Sequence, residues 1–159
     1  MVLKGIPAVL SPELLYALAK MGHGDELALF SVLADVNFPV SSVCGHGPKE
    51  IRADGLGIPL LLEAILKLFP LDTFVSSPAA VMALVEADVR SGLEVPIWGR
   101  YSHLVNQVLQ EPKSLEQVEI SAFYQRAKKA FAVVATGETS HYGNLILKKG
   151  IIPADQLTK

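Results

Sequence analysis

Two apolar runs enclose a polar loop in the stretch Phe131-Ala-Val-Val-Ala-Thr-Gly-Glu-Thr-Ser-His-Tyr142-Gly-Asn144-Leu-Ile-Leu-Lys-Lys-Gly150, around which the predicted fold is organised. Residues 131–135 are a short, continuous apolar run typical of a buried strand, and a second run begins at Leu145. A loop dense in hydrogen-bonding side chains and held between two core strands is a common setting for a binding site. An ordinary connection, in which Gly137 and Gly143 supply turn conformations, explains the same pattern equally well. Residues elsewhere in the chain have to decide between the two.

Helical and strand-like segments alternate along the chain. Ser11-Pro12-Glu13 has the residue types of a helix start, because Ser accepts from unpaired amides, Pro suits the first helical position and Glu complements the positive helix end. Further helices are predicted over residues 58–69, 97–109 and 123–130. Strands are predicted over residues 27–34 and 131–135, with a weak strand over 118–121, and residues 79–85 suit either a strand or a helix. A loop is predicted over residues 40–48 and a turn over residues 51–57.

This alternation predicts a single-domain α/β fold, layered, with a central, largely parallel sheet covered by helices. No repeat or linker interrupts the pattern. We expect one domain over residues 1–150 and a loose C-terminal tail over residues 151–159.

Composition narrows the class of protein. The 14 Lys and Arg residues against 16 Asp and Glu residues leave a net charge of -2, so neither nucleic acid nor an anionic membrane is an expected partner. No apolar run approaches the ~20 residues that span a bilayer, and the N-terminus lacks the apolar core of a signal peptide, so we expect a cytoplasmic protein. Cys44 is the only cysteine, which excludes an internal disulfide, and Cys44 with His46 is too small a set for structural zinc. No metal is expected.

Apolar residues are more abundant than a small monomer needs. Hydrophobic residues make up 50% of the chain and charged residues 19%, which favours burial of surface between subunits. Residues 60–69, 79–84 and 97–109 are the candidates for such an interface. Alternatively, these segments fill the core on the two faces of a covered sheet.

Several common catalytic motifs are absent. None of the Gly-x-Gly pairs that begin at Gly22, Gly45 and Gly55 continues into a dinucleotide fingerprint, and there is no phosphate-binding Gly-Lys-Ser/Thr or Gly-x-Ser-x-Gly element. Proton transfer by side chains is a reaction type that needs none of these motifs. Histidine is well suited to it, and His23 lies in a polar turn. Alternatively, His23 is a turn residue that hydrogen-bonds the backbone, and Asp35 ends a strand. Asp, Asn and Tyr are residue types that bind sugar hydroxyls and sugar faces.

Five sequence blocks resemble one known family. They are Leu10-Ser-Pro-Glu-Leu-Leu15, Met21-Gly-His-Gly-Asp-Glu26, Ile51-Arg-Ala-Asp-Gly-Leu56, Phe123-Tyr-Gln-Arg-Ala-Lys-Lys-Ala-Phe-Ala-Val-Val-Ala-Thr-Gly-Glu138 and Tyr142-Gly-Asn-Leu-Ile-Leu-Lys-Lys-Gly150. The chain is similar, from Leu10 to Gly150, to the ribose pyranase and fucose mutarotase family, on its fucose mutarotase branch. The resemblance implies a cofactor-free isomerase that interconverts the α and β anomers of L-fucose. It also implies a homo-oligomer of pentameric rings stacked into decamers, with sites near subunit contacts.

The same resemblance implies residue roles. His23 matches the catalytic proton donor and Tyr124 a tyrosine at the catalytic centre, with Tyr124 or a water moving the second proton. The substrate-binding positions are matched by Asp35, Asp72, Tyr142 and Asn144. A non-catalytic monosaccharide-binding or assembly protein that retains the fold is the alternative function.

Overall fold

The computed structural model describes residues 2–32 and 38–157. The strands of its sheet are β1 (Glu26–Phe30), β2 (Lys49–Ala53), β3 (Ala79–Met82), β4 (Glu116–Val118), β5 (Ala132–Thr136) and β6 (Leu145–Lys148). The helices are α1 (Pro12–Lys20), α2 (Val40–Cys44), α3 (Ile58–Leu66), α4 (Glu86–Arg90), α5 (Pro96–Val108) and α6 (Ile120–Lys128), and Ala154–Gln156 form a short 3-10 turn. None of these helices is long and apolar enough to cross a membrane.

The strands form one sheet in the order β2-β5-β1-β6-β3-β4. β5 runs parallel to β1 and β2, β3 runs parallel to β4, and β6 runs antiparallel to both of its neighbours, β1 and β3. The predicted layered α/β fold with a largely parallel sheet is confirmed. The two apolar runs of the 131–150 stretch are β5 and β6, which flank β1 at the centre of the sheet.

Helices cover both faces of the sheet. Along β1, Leu27 and Leu29 pack in one hydrophobic cluster with α1, α3 and α5, whereas Ala28 and Phe30 pack in a second cluster with α2 and α6. This alternation follows from the two-residue period of side chains along a strand. Apolar residues are needed at every position of such a strand, which is why β1, β5 and β6 show continuous apolar runs.

Much of the apolar surplus fills these two layers. All four residues of β3 are buried, as are seven of the nine residues of α3 and three on α5 (Ile97, Tyr101 and Val105). The segments proposed from composition as interface candidates therefore contribute mainly to the core. Leu60 is an exception, with 50% of its surface exposed.

The structure differs from the predicted elements where apolar periodicity is weak. The first three residues of the predicted 51–57 turn belong instead to an edge strand, β2. Only Ile51 of that strand is buried, so its two-residue period gives little signal. The predicted 40–48 loop begins with the five-residue helix α2. The weak strand predicted to reach residue 121 ends at Val118, because the Glu119 side chain accepts from the Ala122 amide and starts α6.

The loop after β5 approaches the turn after β2 so closely that only glycine fits. A Cβ at Gly137 would lie 2.6 Å from the Gly55 Cα. The approach is held by a hydrogen bond from the Gly137 amide to the Leu56 carbonyl, at 2.8 Å. Gly55 itself has φ of +78°, a conformation that glycine adopts at little cost.

We expect Gly137→Ala to destabilise the protein by about 1–3 kcal/mol, because the new methyl group overlaps backbone atoms. The matched control is Gly99→Ala on α5, where a Cβ meets nothing within 4 Å. Since alanine is favoured over glycine in a helix, the control should be about 0.5–1 kcal/mol more stable than the unmodified chain. Urea unfolding measures both, and a Gly137→Ala midpoint at or above that of Gly99→Ala would contradict the close approach.

Candidate functional site

His23 and Asp72 meet at the end of the sheet where β1 begins. His23 lies in the turn between α1 and β1, and its Nε2 is 3.4 Å from the Asp72 Oδ1. The imidazole is 46% exposed, whereas the carboxylate is buried and also accepts from the Phe74 amide at 3.0 Å. A carboxylate behind an imidazole fixes the orientation of the ring. The pair is therefore suited to present a proton to a ligand on the solvent side.

Phe74 lies beside this pair. Its ring centroid is 5.8 Å from that of His23, and 74% of its surface is exposed. Phe74 also lines a groove with Ile151 and Ile152, so its exposed ring is part of a larger apolar surface. Phe74 was not among the site residues predicted from the sequence.

Asn144 and Tyr124 meet at the opposite end of β1. The Asn144 Oδ1 accepts from the Ser31 amide at 2.8 Å, and its Nδ2 donates to the Tyr124 hydroxyl at 3.3 Å. The Ser31 N–H requires an acceptor, so it fixes which way the amide points. Tyr124 is fully buried and stacks on Phe38, with ring centroids 4.3 Å apart.

Tyr142 is held in a left-handed conformation, with φ of +56°. Non-glycine residues adopt this conformation rarely, and surrounding contacts have to support it. The Tyr142 hydroxyl donates to the Asp88 carboxylate and accepts from the Val85 amide at 3.3 Å, and its carbonyl accepts from Trp98 Nε1 at 2.9 Å. Burial, and then the hydrogen bond to Asp88, raise the pKa of Tyr142, so its phenol stays protonated at neutral pH.

Helix α5 secures the same loop through a second aromatic residue. The Tyr101 hydroxyl donates to the Gly143 carbonyl at 2.7 Å, and burial, followed by the charge of Glu138, raises the pKa of that phenol. The helix was predicted over residues 97–109, and the structure adds that Trp98 and Tyr101 bind two successive carbonyls, those of Tyr142 and Gly143. No sequence signal pairs residues that far apart in the chain.

Glu138 supports the loop that follows β5. Its carboxylate accepts from the Ile58 amide at 2.9 Å, which caps the N-terminus of α3, and from the Thr139 and Ser140 amides at 3.2 and 3.1 Å. Burial alone would raise the pKa of Glu138, but these hydrogen bonds outweigh it and lower the pKa. Glu138 thus has a structural role in the polar loop, and Tyr142 and Asn144 stay its predicted site residues.

The candidate site residues fall into two groups on one chain. We call His23 and Asp72 the histidine half-site, and Tyr124, Tyr142 and Asn144 the amide half-site. β1 lies between them, because His23 precedes its first residue and Ser31 follows its last. The four residue steps of β1 alone separate the halves by roughly 13 Å. Asp35 lies outside the described residues.

These features define an α/β protein equipped for proton transfer on a small hydroxyl-bearing ligand. An imidazole backed by a carboxylate supplies an acid, and buried phenol and amide groups supply oriented hydrogen bonds. The RbsD / FucU transport protein family matches residues 4–152, and the chain belongs to this family.

Similar proteins span the whole length of the chain. A fucose mutarotase of Homo sapiens is 62% identical over 155 residues, covering 98% of this chain and 97% of its own, and one of Danio rerio is 65% identical with the same coverage. The crystal structure of a fucose mutarotase from Streptococcus pneumoniae in complex with L-fucose is 43% identical and superposes with a TM-score of 0.82. It covers 95% of this chain and 100% of its own.

Replacing Glu138 tests the structural role of the loop. We expect Glu138→Gln to cost about 1–3 kcal/mol of stability at pH 7, because an amide cannot accept from all three backbone donors. The lowered folded-state pKa means that the carboxylate contributes fully above its ordinary value of 4.5 and loses this contribution as the pH falls through the folded value. The stability difference between the two proteins should therefore shrink below pH 4.5.

Glu63→Gln is the matched control, since Glu63 is exposed on α3. Denaturant unfolding from pH 3 to 8 supplies the measurement. A Glu138→Gln deficit that equals the Glu63→Gln deficit, or that grows in acid, would contradict the assignment.

Proposed function

We propose that this chain is an isomerase, a sugar mutarotase that interconverts the α and β anomers of L-fucose. The observation that carries the proposal is the identity of 62–65% to two fucose mutarotases over 98% of the chain. The similar structure from Streptococcus pneumoniae, which holds L-fucose, supports the same substrate. The family match over residues 4–152 supports a domain of residues 1–150 followed by a tail of residues 151–159.

Ring opening requires two proton transfers, and reclosure after one bond rotation requires two more. A base removes the proton of the anomeric hydroxyl while an acid protonates the ring oxygen, and the bond between C1 and the ring oxygen breaks to give an open aldehyde. The aldehyde turns its other face to the hydroxyl before the ring recloses, with acid and base exchanging roles. Each positioned group contributes roughly 10²–10⁴-fold to such a reaction. No redox step or group transfer occurs, so side chains alone supply the chemistry.

In this proposal His23 is the acid. Its imidazole faces solvent, and the buried Asp72 carboxylate, 3.4 Å away, holds the ring and stabilises the charge that forms when the proton returns. Tyr124 or a bound water moves the second proton.

The amide half-site orients the sugar. Asn144 commits one lone pair to Ser31 and one proton to Tyr124, which leaves its other proton and lone pair for sugar hydroxyls. The Tyr142 hydroxyl is committed to Asp88 and Val85, so the ring of Tyr142 is the part that can pack on the sugar. Asp35 is proposed as a further ligand of the hydroxyls.

The separation of the half-sites supports a homo-oligomer. One sugar cannot contact both halves of the same chain across β1, whereas a neighbouring subunit can bring its histidine half-site to the amide half-site. Exposed apolar residues favour such a contact near His23: Phe74 adjoins a groove that also contains Ile151 and Ile152, which are 53% and 46% exposed. We propose pentameric rings that pair into decamers in the cytoplasm, in which a heterologous contact repeats by a rotation that closes.

Saturation-transfer NMR on L-fucose tests the function directly. Transfer of saturation between the two anomeric signals, at substoichiometric protein, identifies the enzyme. Line broadening without transfer identifies the alternative, a non-catalytic sugar-binding protein. A panel of monosaccharides in the same measurement, D-ribose included, establishes the substrate preference.

We expect His23→Ala to lower the exchange rate roughly 100-fold or more, because the proton donor is lost. The melting temperature should change little, since His23 is exposed. His103→Ala is the matched control: His103 is exposed on α5, where it bonds only Gln107 among the described residues. Wild-type exchange in His23→Ala would refute its role as the acid.

Complementation between inactive variants tests the shared site. His23→Ala and Asn144→Ala chains, each inactive alone, should regain about a quarter of the wild-type rate when unfolded together and refolded at equal amounts, because random mixing pairs two intact halves at that frequency. Light scattering on the same samples should give a five- or ten-subunit mass. A mass near 17.1 kDa, or mixing without recovery, would rule out sites shared between subunits.

A further inference from the structure

Lys149, just after β6, makes contacts on both sides of the His23 turn. Its Nζ donates to the Leu18 and Met21 carbonyls, each at 2.6 Å. Both carbonyls belong to the end of α1, where the last carbonyl groups have no partner within the helix. A cation at this position also interacts favourably with the helix dipole. Lys149 thus fixes the segment that immediately precedes His23.

The backbone of Lys149 fixes the segment that follows His23. The Gly24 amide donates to the Lys149 carbonyl at 2.8 Å, and the Lys149 amide donates to the Asp25 carbonyl at 2.9 Å. One residue therefore holds positions 18 and 21 before the histidine and positions 24 and 25 after it. The catalytic candidate lies between the two pairs of contacts.

Gly150, the next residue, positions the partner of His23. The Gly150 amide donates to the Pro70 carbonyl at 2.8 Å, and a Cβ at Gly150 would lie 2.4 Å from the Leu71 oxygen. The Asp72 amide donates to the Lys148 carbonyl at 3.0 Å. The end of β6 is thus the common support of both members of the histidine half-site.

We infer that Lys149 is a positioning residue for proton transfer, whose ammonium group holds the His23 turn in the register that places the imidazole on Asp72. The inference rests on the proposed function and adds a residue to it. Burial lowers the pKa of Lys149, and the charge of Asp25 opposes this shift. The lowered pKa agrees with an ammonium group that is withdrawn from solvent onto the helix end. The side chain thus binds the end of α1, while the backbone of the same residue binds the turn after His23.

The test compares Lys149→Met with Lys148→Met. Methionine keeps the unbranched stem and removes the ammonium at both positions, and the Lys148 side chain makes none of the contacts to residues 18–25. Two kinds of measurement are made: kcat and KM for anomer exchange by saturation transfer, and the imidazole signals of His23 by ¹H–¹³C correlation NMR.

In Lys149→Met, a sub-ångström to ångström displacement of the acid should lower kcat roughly 10–100-fold. KM should stay within about twofold, because the sugar contacts lie in the amide half-site.

In Lys149→Met we also expect the His23 signals to shift or broaden, whereas Lys148→Met keeps wild-type kcat and wild-type signals. Wild-type kcat and unchanged His23 signals in a folded Lys149→Met protein would overturn the inference, even if its melting temperature had fallen. Should Lys149→Met fail to fold, Lys149→Gln, which keeps one donor, is measured in the same way and is judged by the same two outcomes.

Failure of the proposed function gives a different result. In that case the unmodified protein exchanges no sugar anomers. A comparison of the His23 signals between Lys149→Met and the unmodified chain still shows whether Lys149 positions the histidine.

Discussion

The antiparallel pairing of β6 with β1 determines where the polar groups of the candidate site lie. Glu26 is opposite Lys148 and Leu29 is opposite Leu145, so the two ends of β6 reach the two ends of β1. Asn144 immediately precedes one end of β6, and the other end continues into Lys149 and Gly150. Each half-site is therefore built on one end of the same central strand.

A strand at the centre of a sheet is a rigid support for such groups. β6 is paired on both sides and contributes to both hydrophobic clusters, which leaves it little freedom to move. Buried polar groups at its ends would be costly if they lacked partners. Among the described residues no buried side-chain nitrogen or oxygen lacks a hydrogen-bond partner. The polar groups are thus held in one arrangement, as proton transfer requires.

Sequence patterns predicted the elements whose signals are local. The Ser11 cap of α1 and the apolar runs of β5 and β6 follow from residues close together in the chain, and the structure has them within a few residues of the predicted bounds. β2 was missed because an edge strand with one buried residue has no distinct period. β1 ends at Phe30, whereas the predicted strand continued past it, since an apolar run does not show where pairing with the neighbouring strands stops. The last two residues of that prediction, 33 and 34, lie outside the described residues.

Much of the candidate site depends on contacts that no local pattern encodes. His23 and Asp72 are 49 residues apart, and Ser31 and Asn144 are 113 residues apart. Their residue types indicated sugar chemistry, and the family resemblance supplied their roles. The separation into two half-sites could be seen only from the sheet topology. A sequence typical of a parallel α/β fold does not show that β6 runs antiparallel to its neighbours.

Under the proposed assembly, the division has an electrostatic consequence. In a separate chain the His23 imidazole faces water, where a high dielectric constant weakens its interaction with Asp72. A neighbouring subunit that covers Phe74 would exclude this water and strengthen the same interaction without any change of contacts within the chain. Proton transfer would then be efficient only where two subunits meet, which is also the only place where a sugar contacts both halves. A conformational lid is not required for such a site, because the subunit contact both completes it and shields it from water.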